Sequence, residues 1–541
     1  MTVGTMPIEP DRRRPGAVTE DQSDTIAFLA SGAGRGAPAD EIIETHGAMV
    51  FLCGDRAYKL KRAVWFPYMD FSTIGKRRAF CRAEVRLNRR TAPEVYLDAL
   101  PVARDAGGAL ALGGSGAPLD WVVVMRRFDQ DALFDRLARR GALDEDLIDA
   151  LADTVAHFHG VAEPLPDVDF AAGMERVIAG NEASLSAFSP DVFPAEEISE
   201  LQRLCAERFD NGAHDCLRRR GRDGFVRQCH GDLHLKNLFL CAGKPVLFDC
   251  IEFDNSLAQI DVFYDLAFLL MDLEFRGLRR YANLLLNRYI ARTGDYDGVM
   301  LLPLFMAVRA AIRAHVTAAT AATSRDASMC ATHRDAARAY FDLAMRLAKP
   351  APSGLIAIGG LSGSGKSRLA RSIAPNFGGA AGALVVRSDV IRKQMFGVDI
   401  FERLPEAAYT KESSRAVYAR LTDICTNVLA GERWVVADAV FGDSSERAAI
   451  EAAATNLDRP FVGIWLDVSE PVQRMRLAKR EHDVSDASPA IGGKQRSGIV
   501  TPEDWHVVDA GGTPDDTADA AWRLLQSCGI PREACARSID H

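Results

Sequence analysis

The sequence lacks a framework for disulfides or zinc. Its eleven cysteines are scattered over 541 residues. None forms a Cys-x-x-Cys pair or a Cys/His spacing that would grip a metal. The pattern argues against a stapled secreted fold and predicts a reducing, cytoplasmic setting. Long apolar runs are missing too, and none approaches an uninterrupted membrane span. The basic segment Asp11–Pro15 is followed by polar sequence instead of an apolar core, so no secretory leader is expected. Positive charge is not in excess. The net charge is −9, which argues against a protein that coats nucleic acid. Arg218-Arg-Arg-Gly-Arg222 is a local basic run, expected to be a solvated loop or helix end.

What is present is ordinary globular composition, 48% hydrophobic and 26% charged, in a chain too long for one core. Residues 1–40, rich in Gly, Pro and Ala, are expected to be a flexible tail. Ala48–Cys53 and Ala57–Lys61 pattern as two strands around a Gly54-containing turn. A helix is expected over Ile74–Arg90, and further strands over Pro101–Val102, Leu110–Leu112 and Asp120–Met125. Helical patterns dominate from Leu133 on, among them Asp146–His159, Asp261–Glu274, Leu278–Thr293, Leu302–Thr323 and His333–Leu347. Phe225–Phe253 interrupts them with a strand, a polar loop and a strand. Two prolines and a glycine within Lys349–Gly354 mark a domain boundary. Beyond it, Leu355–Gly359, Leu384–Val386, Trp434–Ala437, Phe461–Leu466 and His506–Val508 alternate with helical patterns. That alternation predicts a parallel sheet covered on both faces. The expected domains are 41–349, with a strand-rich lobe (41–127) and a helical lobe (128–349), then 354–527, with a tail at 528–541.

Two phosphate-transfer signatures sit on these two domains. His230-Gly-Asp232-Leu-His-Leu-Lys-Asn237 fits HxDxxxxN, the catalytic-loop pattern of the kinase-like fold. Kinase-type transfer needs a carboxylate at the acceptor hydroxyl, oxygen ligands for Mg²⁺, and a Lys held by a Glu over the ATP phosphates. Asp232 is the candidate base. Asn237 is a candidate metal ligand, as is Asp249, which follows the strand Pro245–Phe248. Lys59 and Lys61 lie two apart on one strand and share a face. Only one can be the phosphate lysine, and spacing does not choose. Glu84 lies in the first helix, where the lysine's partner belongs. His230 is expected to support the loop. Asp261 and Asp265 are candidates to brace it, with helix capping as the other role for Asp261.

The second signature is Gly360-Leu-Ser362-Gly363-Ser364-Gly365-Lys366-Ser367, a P-loop of the form GxxxxGK[ST] between a strand and a helix. Its glycines let backbone N–H groups converge on phosphate at a helix N-terminus. Lys366 would reach the β- and γ-phosphates, and Ser367 would ligand Mg²⁺. Asp438 ends a strand as a second metal candidate. Ala439 follows it where a hydrolytic ATPase would carry Glu, which favours transfer to an acceptor. Asp389, at the end of another strand, is the candidate acceptor base. Arg474, Arg476 and Arg480 follow Asp467. Arg476 and Arg480 share a helix face, and Arg480 is the candidate transition-state cation.

Residues 41–345 resemble the aminoglycoside phosphotransferase family, through His230–Asn237, Phe248-Asp-Cys-Ile-Glu-Phe253 and Asp261-Val-Phe-Tyr-Asp-Leu-Ala267. The resemblance implies an ATP- and Mg²⁺-dependent kinase acting on a small-molecule hydroxyl, with Asp232 as base and Asn237 and Asp249 as metal ligands. A GxGxxG loop is absent. His234 stands where protein kinases usually carry Lys, and no Ala-Pro-Glu follows, so a protein substrate is disfavoured. Residues 354–526 are similar to P-loop small-molecule kinases such as gluconate kinase, chloramphenicol phosphotransferase and the polynucleotide kinase domain, most tellingly at Ser388-Asp-Val-Ile-Arg392. Joined in this order, the halves resemble bacterial proteins described as fused aminoglycoside phosphotransferase-like and ATP-binding proteins. The expected fold is an α+β kinase-like domain followed by an α/β P-loop domain. The expected function is phosphoryl transfer to small molecules from two ATP sites. A nucleotide sensor with one inactive half, and a nucleic-acid-end kinase, are the other readings.

Overall fold

Strand patterning in the first third of the chain builds one antiparallel sheet. In the computed structural model, which describes residues 16–34, 37–66, 69–324, 326–479 and 484–532, this sheet has six strands. They are β1 (Glu41–Glu44), β2 (Ala48–Cys53), β3 (Arg56–Lys61), β4 (Tyr96–Arg104), β5 (Leu110–Leu112) and β6 (Pro118–Arg126), in the order β1-β2-β3-β6-β4-β5. Side chains of β3 alternate between two cores. Tyr58 and Leu60 pack with Val102, Val122 and Leu29. Ala57 packs on the other face with Val123, Cys81 and Val85.

Cys81 and Val85 come from α2 (Ile74–Asn88), which starts at Thr73 as N-cap. Leu29 comes from α1 (Ser23–Ala30), so the expected flexible tail is corrected from about residue 22 on. Its helix buries Leu29 completely. The Gln22 side chain donates to Asp120 (2.7 Å) and to the Lys61 carbonyl (2.9 Å). Glycine-rich flanks hid this short apolar face in the sequence. Residues 1–15 lie outside the described set.

Two compact units divide the chain, Met1–Ala142 with Arg227–Ile260, and Leu143–Val226 with Asp261–His541. The first adds to the sheet the loop around Asp232 and the hairpin β7 (Leu238–Cys241) and β8 (Lys244–Leu247). Ahead of the P-loop, the second contains the helices α3 (Glu145–Val161), α4 (Phe170–Ser186), α5 (Ala195–Arg208), α6 (His214–Arg222), α7 (Val262–Phe275), α8 (Arg279–Thr293), α9 (Leu302–Thr323) and α10 (Ala327–Ala348). The stretch Asp297–Thr323 has the length and mean hydropathy, 1.6, of a membrane span, but 72% of its apolar window is buried inside the protein. It is a core helix.

Arg220, in the basic run, is not solvated. It is 1% exposed, with its guanidinium forked between Asp261 (2.7 and 3.0 Å) and Asp295 (2.6 and 2.8 Å). Asp261 also accepts from the Phe263 N–H, so it caps α7 while it holds Arg220. Asp265 faces His159 (3.2 Å).

The same unit carries the P-loop fold. Five parallel strands, β9 (Leu355–Gly359), β10 (Leu384–Arg387), β11 (Val435–Asp438), β12 (Phe461–Asp467) and β13 (His506–Asp509), stand in the order β10-β11-β9-β12-β13, as the alternation predicts. Between them run α11 (Lys366–Ile373), α12 (Ser388–Met395), α13 (Lys411–Ala430), α14 (Ser444–Thr455), α15 (Glu470–Ala478) and α16 (Pro489–Gly498), with α17 (Pro514–Ser527) after the last strand.

The Pro-rich segment 349–354 joins consecutive elements without separating compact units, because α8 docks on the P-loop fold. Arg279 donates to the carbonyls of Pro375 (2.8 Å), Phe377 (2.6 Å) and Gly379 (2.7 Å). Asn283 donates to the carbonyls of Ala381 and Ala383. Asn287 accepts from Val385 on β10 (2.6 Å), satisfying an edge strand that has no neighbour on that side. Ile530 is buried, so chain expected to be a C-terminal tail still packs there, and residues 533–541 lie outside the described set.

Candidate active sites

The upstream residues converge within the first unit. β3 presents Lys59 and Lys61 to the face covered by α2, which carries Glu84. Lys59 Nζ lies 2.9 Å from Glu84 and 2.6 Å from Asp249. Lys61 Nζ lies 2.6 Å from the other Glu84 oxygen and also pairs with Glu252. Exposure separates the two lysines. The Lys61 side chain is 1% exposed and locked between carboxylates, whereas Lys59 is 15% exposed and paired with Asp249, itself 39% exposed. Of the two, Lys59 has the access that phosphate contact requires. Burial would push the Glu84 carboxyl up, but the two ammonium groups overcome it and bring it down to about 2. Burial, reinforced by the charge of Glu84, pushes Glu252 up.

Asp249 is held in the left-handed region at φ 63°, a conformation that costs free energy for any residue but glycine and persists only where neighbours impose it. Its N–H donates to the Tyr96 hydroxyl (3.1 Å), and the next N–H, of Cys250, donates to the Asn88 side chain (2.8 Å). Asn237 donates through Nδ2 to the Asp232 carboxylate (2.8 Å) and carbonyl (2.9 Å). Its amide oxygen is thereby directed away from Asp232. His234 stands 3.3 Å from the same carboxylate. His230 is fully buried and bonds the Phe248 carbonyl (2.9 Å), tying the Asp232 loop to the strand before Asp249. Asp249, Asn237 and Asp232 offer hard oxygen donors, a set that suits Mg²⁺.

The downstream residues line a cleft of about 900 Å³, which includes Ser362–Ser367, Asp389 and Asp438. Gly360 has φ 135°, and a Cβ there would lie 2.6 Å from the Leu466 carbonyl oxygen. Gly365 caps α11 at φ 102°. Ser367 Oγ donates to Asp438 (2.6 Å), and Arg387 bonds both, at 3.1 and 3.2 Å. Asp438 is 4% exposed. A serine hydroxyl beside a buried carboxylate fits Mg²⁺ chemistry equally well. Asp389 lies in the first turn of α12, and Arg392, one turn on, bonds the Ala408 carbonyl (2.7 Å) and stacks on the Tyr409 ring.

Of the three arginines after β12, Arg476 reaches the P-loop, donating to the Ser364 carbonyl (3.3 Å), while Arg474 is exposed. Arg480 lies outside the described residues. Two glutamines also clasp the P-loop backbone. Gln473 donates to the Ser362 carbonyl (2.7 Å), and Gln495 on α16 accepts from the Ser362 N–H (2.9 Å).

Residues 70–302 match the phosphotransferase enzyme family, and residues 355–497 match an AAA domain. The chain is thus similar to a phosphotransferase-family domain followed by a P-loop domain. Uncharacterized proteins of Mycobacterium tuberculosis (strain ATCC 25618 / H37Rv) and Mycobacterium bovis are each 28% identical to it over 497 residues, 91% of this chain and 96% of theirs. Among solved structures, a gluconokinase from Sinorhizobium meliloti 1021 is 22% identical, covers 33% of this chain and 96% of its own, and has a TM-score of 0.25. An APS kinase from Mycobacterium tuberculosis, solved with AMPPNP and APS, is 18% identical, covers 33% and 99%, and has a TM-score of 0.24.

The two matched domains support a phosphotransferase with a nucleotide-binding P-loop. Sequence reading assigned no role to Glu252, Tyr96, Asn88, Arg387 or the two glutamines at Ser362. Two of them carried a signal, Arg387 at a strand end two residues before Asp389 and Glu252 inside the motif Phe248–Phe253.

Proposed function

We propose that the protein transfers the γ-phosphate of ATP to hydroxyl groups of small molecules at two separate sites. The observation that carries this reading is the repetition of a complete set of parts. Each half gathers its own lysine, oxygen ligands and carboxylate base without borrowing from the other.

In the upstream site, Lys59 binds phosphate oxygens and is steadied by Glu84. Asn237 and Asp249 would hold Mg²⁺. Asn237 also points the Asp232 carboxylate, which takes the proton of the acceptor hydroxyl as it attacks. In the downstream site, the N–H groups of the P-loop and Lys366 hold the β- and γ-phosphates. Ser367 and Asp438 would hold Mg²⁺, and Asp389 accepts the proton of the second acceptor. The bound metal would neutralise charge that develops on the phosphates. Arg476 takes the cationic role expected of Arg480, since it touches the P-loop directly.

ATP consumption tests the reading, measured for wild type, Asp232→Ala and Lys366→Ala over a panel of sugars, aminoglycosides and nucleosides. Each substitution is expected to abolish turnover of a different acceptor. If both leave every acceptor-dependent turnover intact, the proposal fails. If only one matters, the other half binds nucleotide as a sensor.

A further inference from the structure

Away from both sites, the second unit forms another pocket, open to solvent, of about 610 Å³. Its wall takes in α5, α10, the joint 349–352 and the loop at Gly379 and Ala380. None of the residues assigned above to phosphoryl transfer lines it.

The charges of this wall do not balance. Five cationic side chains line it against three carboxylates. Arg338 alone engages two of those carboxylates, Glu197 (2.5 Å) and Asp342 (2.8 Å). Arg346 reaches Glu274, outside this wall (3.4 Å), which leaves Glu432 for Arg208, Arg433 and Lys349. Two of these are anchored by neutral groups, which fix a guanidinium without cancelling its charge. Arg208 donates to the carbonyls of Ala348 (2.6 Å) and Lys349 (2.8 Å). Arg433 donates through Nη2 to the carbonyls of Ala380 (2.5 Å) and Gly382 (2.9 Å). Arg346, paired with Glu274, and Lys349 are exposed at the rim.

Arg433 is the decisive group. It is 3% exposed, and its Nε and Nη1 are buried without a hydrogen-bond partner. Burial, with the charge of nearby Arg279, pulls its guanidinium down to about 10. A buried cation without a carboxylate of its own is costly, and a fixed guanidinium fork suits a phosphate or carboxylate group.

We propose that this cavity binds a small multivalent anion, bearing phosphate or carboxylate groups, whose charge is met by Arg433, Arg208, Arg346 and Lys349. Its place at the joint has a consequence. Gly379 and Ala380 belong to the loop that leads into β10, the strand that ends at Arg387, two residues before Asp389, so an anion bound here braces the approach to the downstream site.

The test uses the full chain with both ATP sites disabled, Lys59→Met with Lys366→Ala, titrated calorimetrically with inorganic pyrophosphate and with citrate. One-to-one binding of at least one probe is expected, weakened at least tenfold by Arg346→Glu with Lys349→Glu. Both of those residues are exposed, so an unchanged melting temperature separates lost binding from misfolding. Binding of pyrophosphate alone assigns a phosphorylated ligand, and binding of citrate alone a polycarboxylate. Binding of both means that charge alone selects. If neither probe binds, or if the charge reversals leave binding unchanged, the proposal is overturned. Arg433→Met offers a second check and is expected to remove binding in whatever fraction stays folded.

Discussion

Lys59 and Lys61 differ by two positions and, in the proposed mechanism, by role, and their substitution by Met should separate chemistry from stability. Lys61 is 1% exposed, between Glu84 (fully buried) and Glu252 (6% exposed). Removing it leaves Glu252 without its ion pair and Glu84 with one cation in place of two. Loss of one partner from such a buried cluster costs about 3–5 kcal/mol. Lys59→Met leaves Glu84 paired with Lys61, and the half-exposed Asp249 can turn to water, so a cost of about 1 kcal/mol is expected.

Activity should move the other way. Lys59→Met removes a positive charge from the developing phosphate charge, with a loss of about 100- to 1,000-fold in upstream turnover. Urea unfolding and ATP turnover on the same samples make the comparison. A stable, inactive Lys61→Met beside an active Lys59→Met would refute the assignment.

The pH dependence follows from the same cluster. The depressed pKa of Glu84 contributes stability that is fully present above its ordinary value of 4.5 and is lost as pH falls toward about 2. The magnitude is about 3 kcal/mol. Glu252, pushed up by burial, works in the opposite sense and reduces the net effect. Lys61→Met should flatten the acid limb between these values.

At the P-loop, Gly360→Ala would place a Cβ 2.6 Å from the Leu466 carbonyl at a φ of 135°. Strain of about 1–3 kcal/mol should weaken nucleotide binding there about tenfold or more, read by titration with a fluorescent ATP analogue, with little change upstream. Ser367→Ala removes the 2.6 Å bond to Asp438, and should raise the Mg²⁺ concentration needed for downstream turnover without unfolding the chain. Arg220→Met should destabilise the protein by about 3–5 kcal/mol, because it strands Asp261 and Asp295 in the interior. Arg218→Ala, on the exposed side of the same run, should leave the melting temperature unchanged.

The P-loop half was legible because its signals are local. Each strand is a short apolar run, and the phosphate loop is one contiguous motif. The upstream site was legible in its parts and illegible in its choices. Two lysines on one strand face look equivalent until Glu252, far along the chain, claims one of them. Arg220 read as part of a solvated patch because nothing near it in sequence reveals Asp261 and Asp295. The first helix escaped notice among glycines. The glutamine clasp on Ser362 joins segments more than a hundred residues apart and leaves no motif.

The central claim is that one chain holds two independent nucleotide sites. Equilibrium binding of a non-hydrolysable ATP analogue with Mg²⁺ measures this most directly, as moles bound per mole of wild type, Lys59→Met and Lys366→Ala. The account predicts two for wild type and one for each variant. A single nucleotide per wild-type chain, or loss of both sites on either substitution, would contradict it.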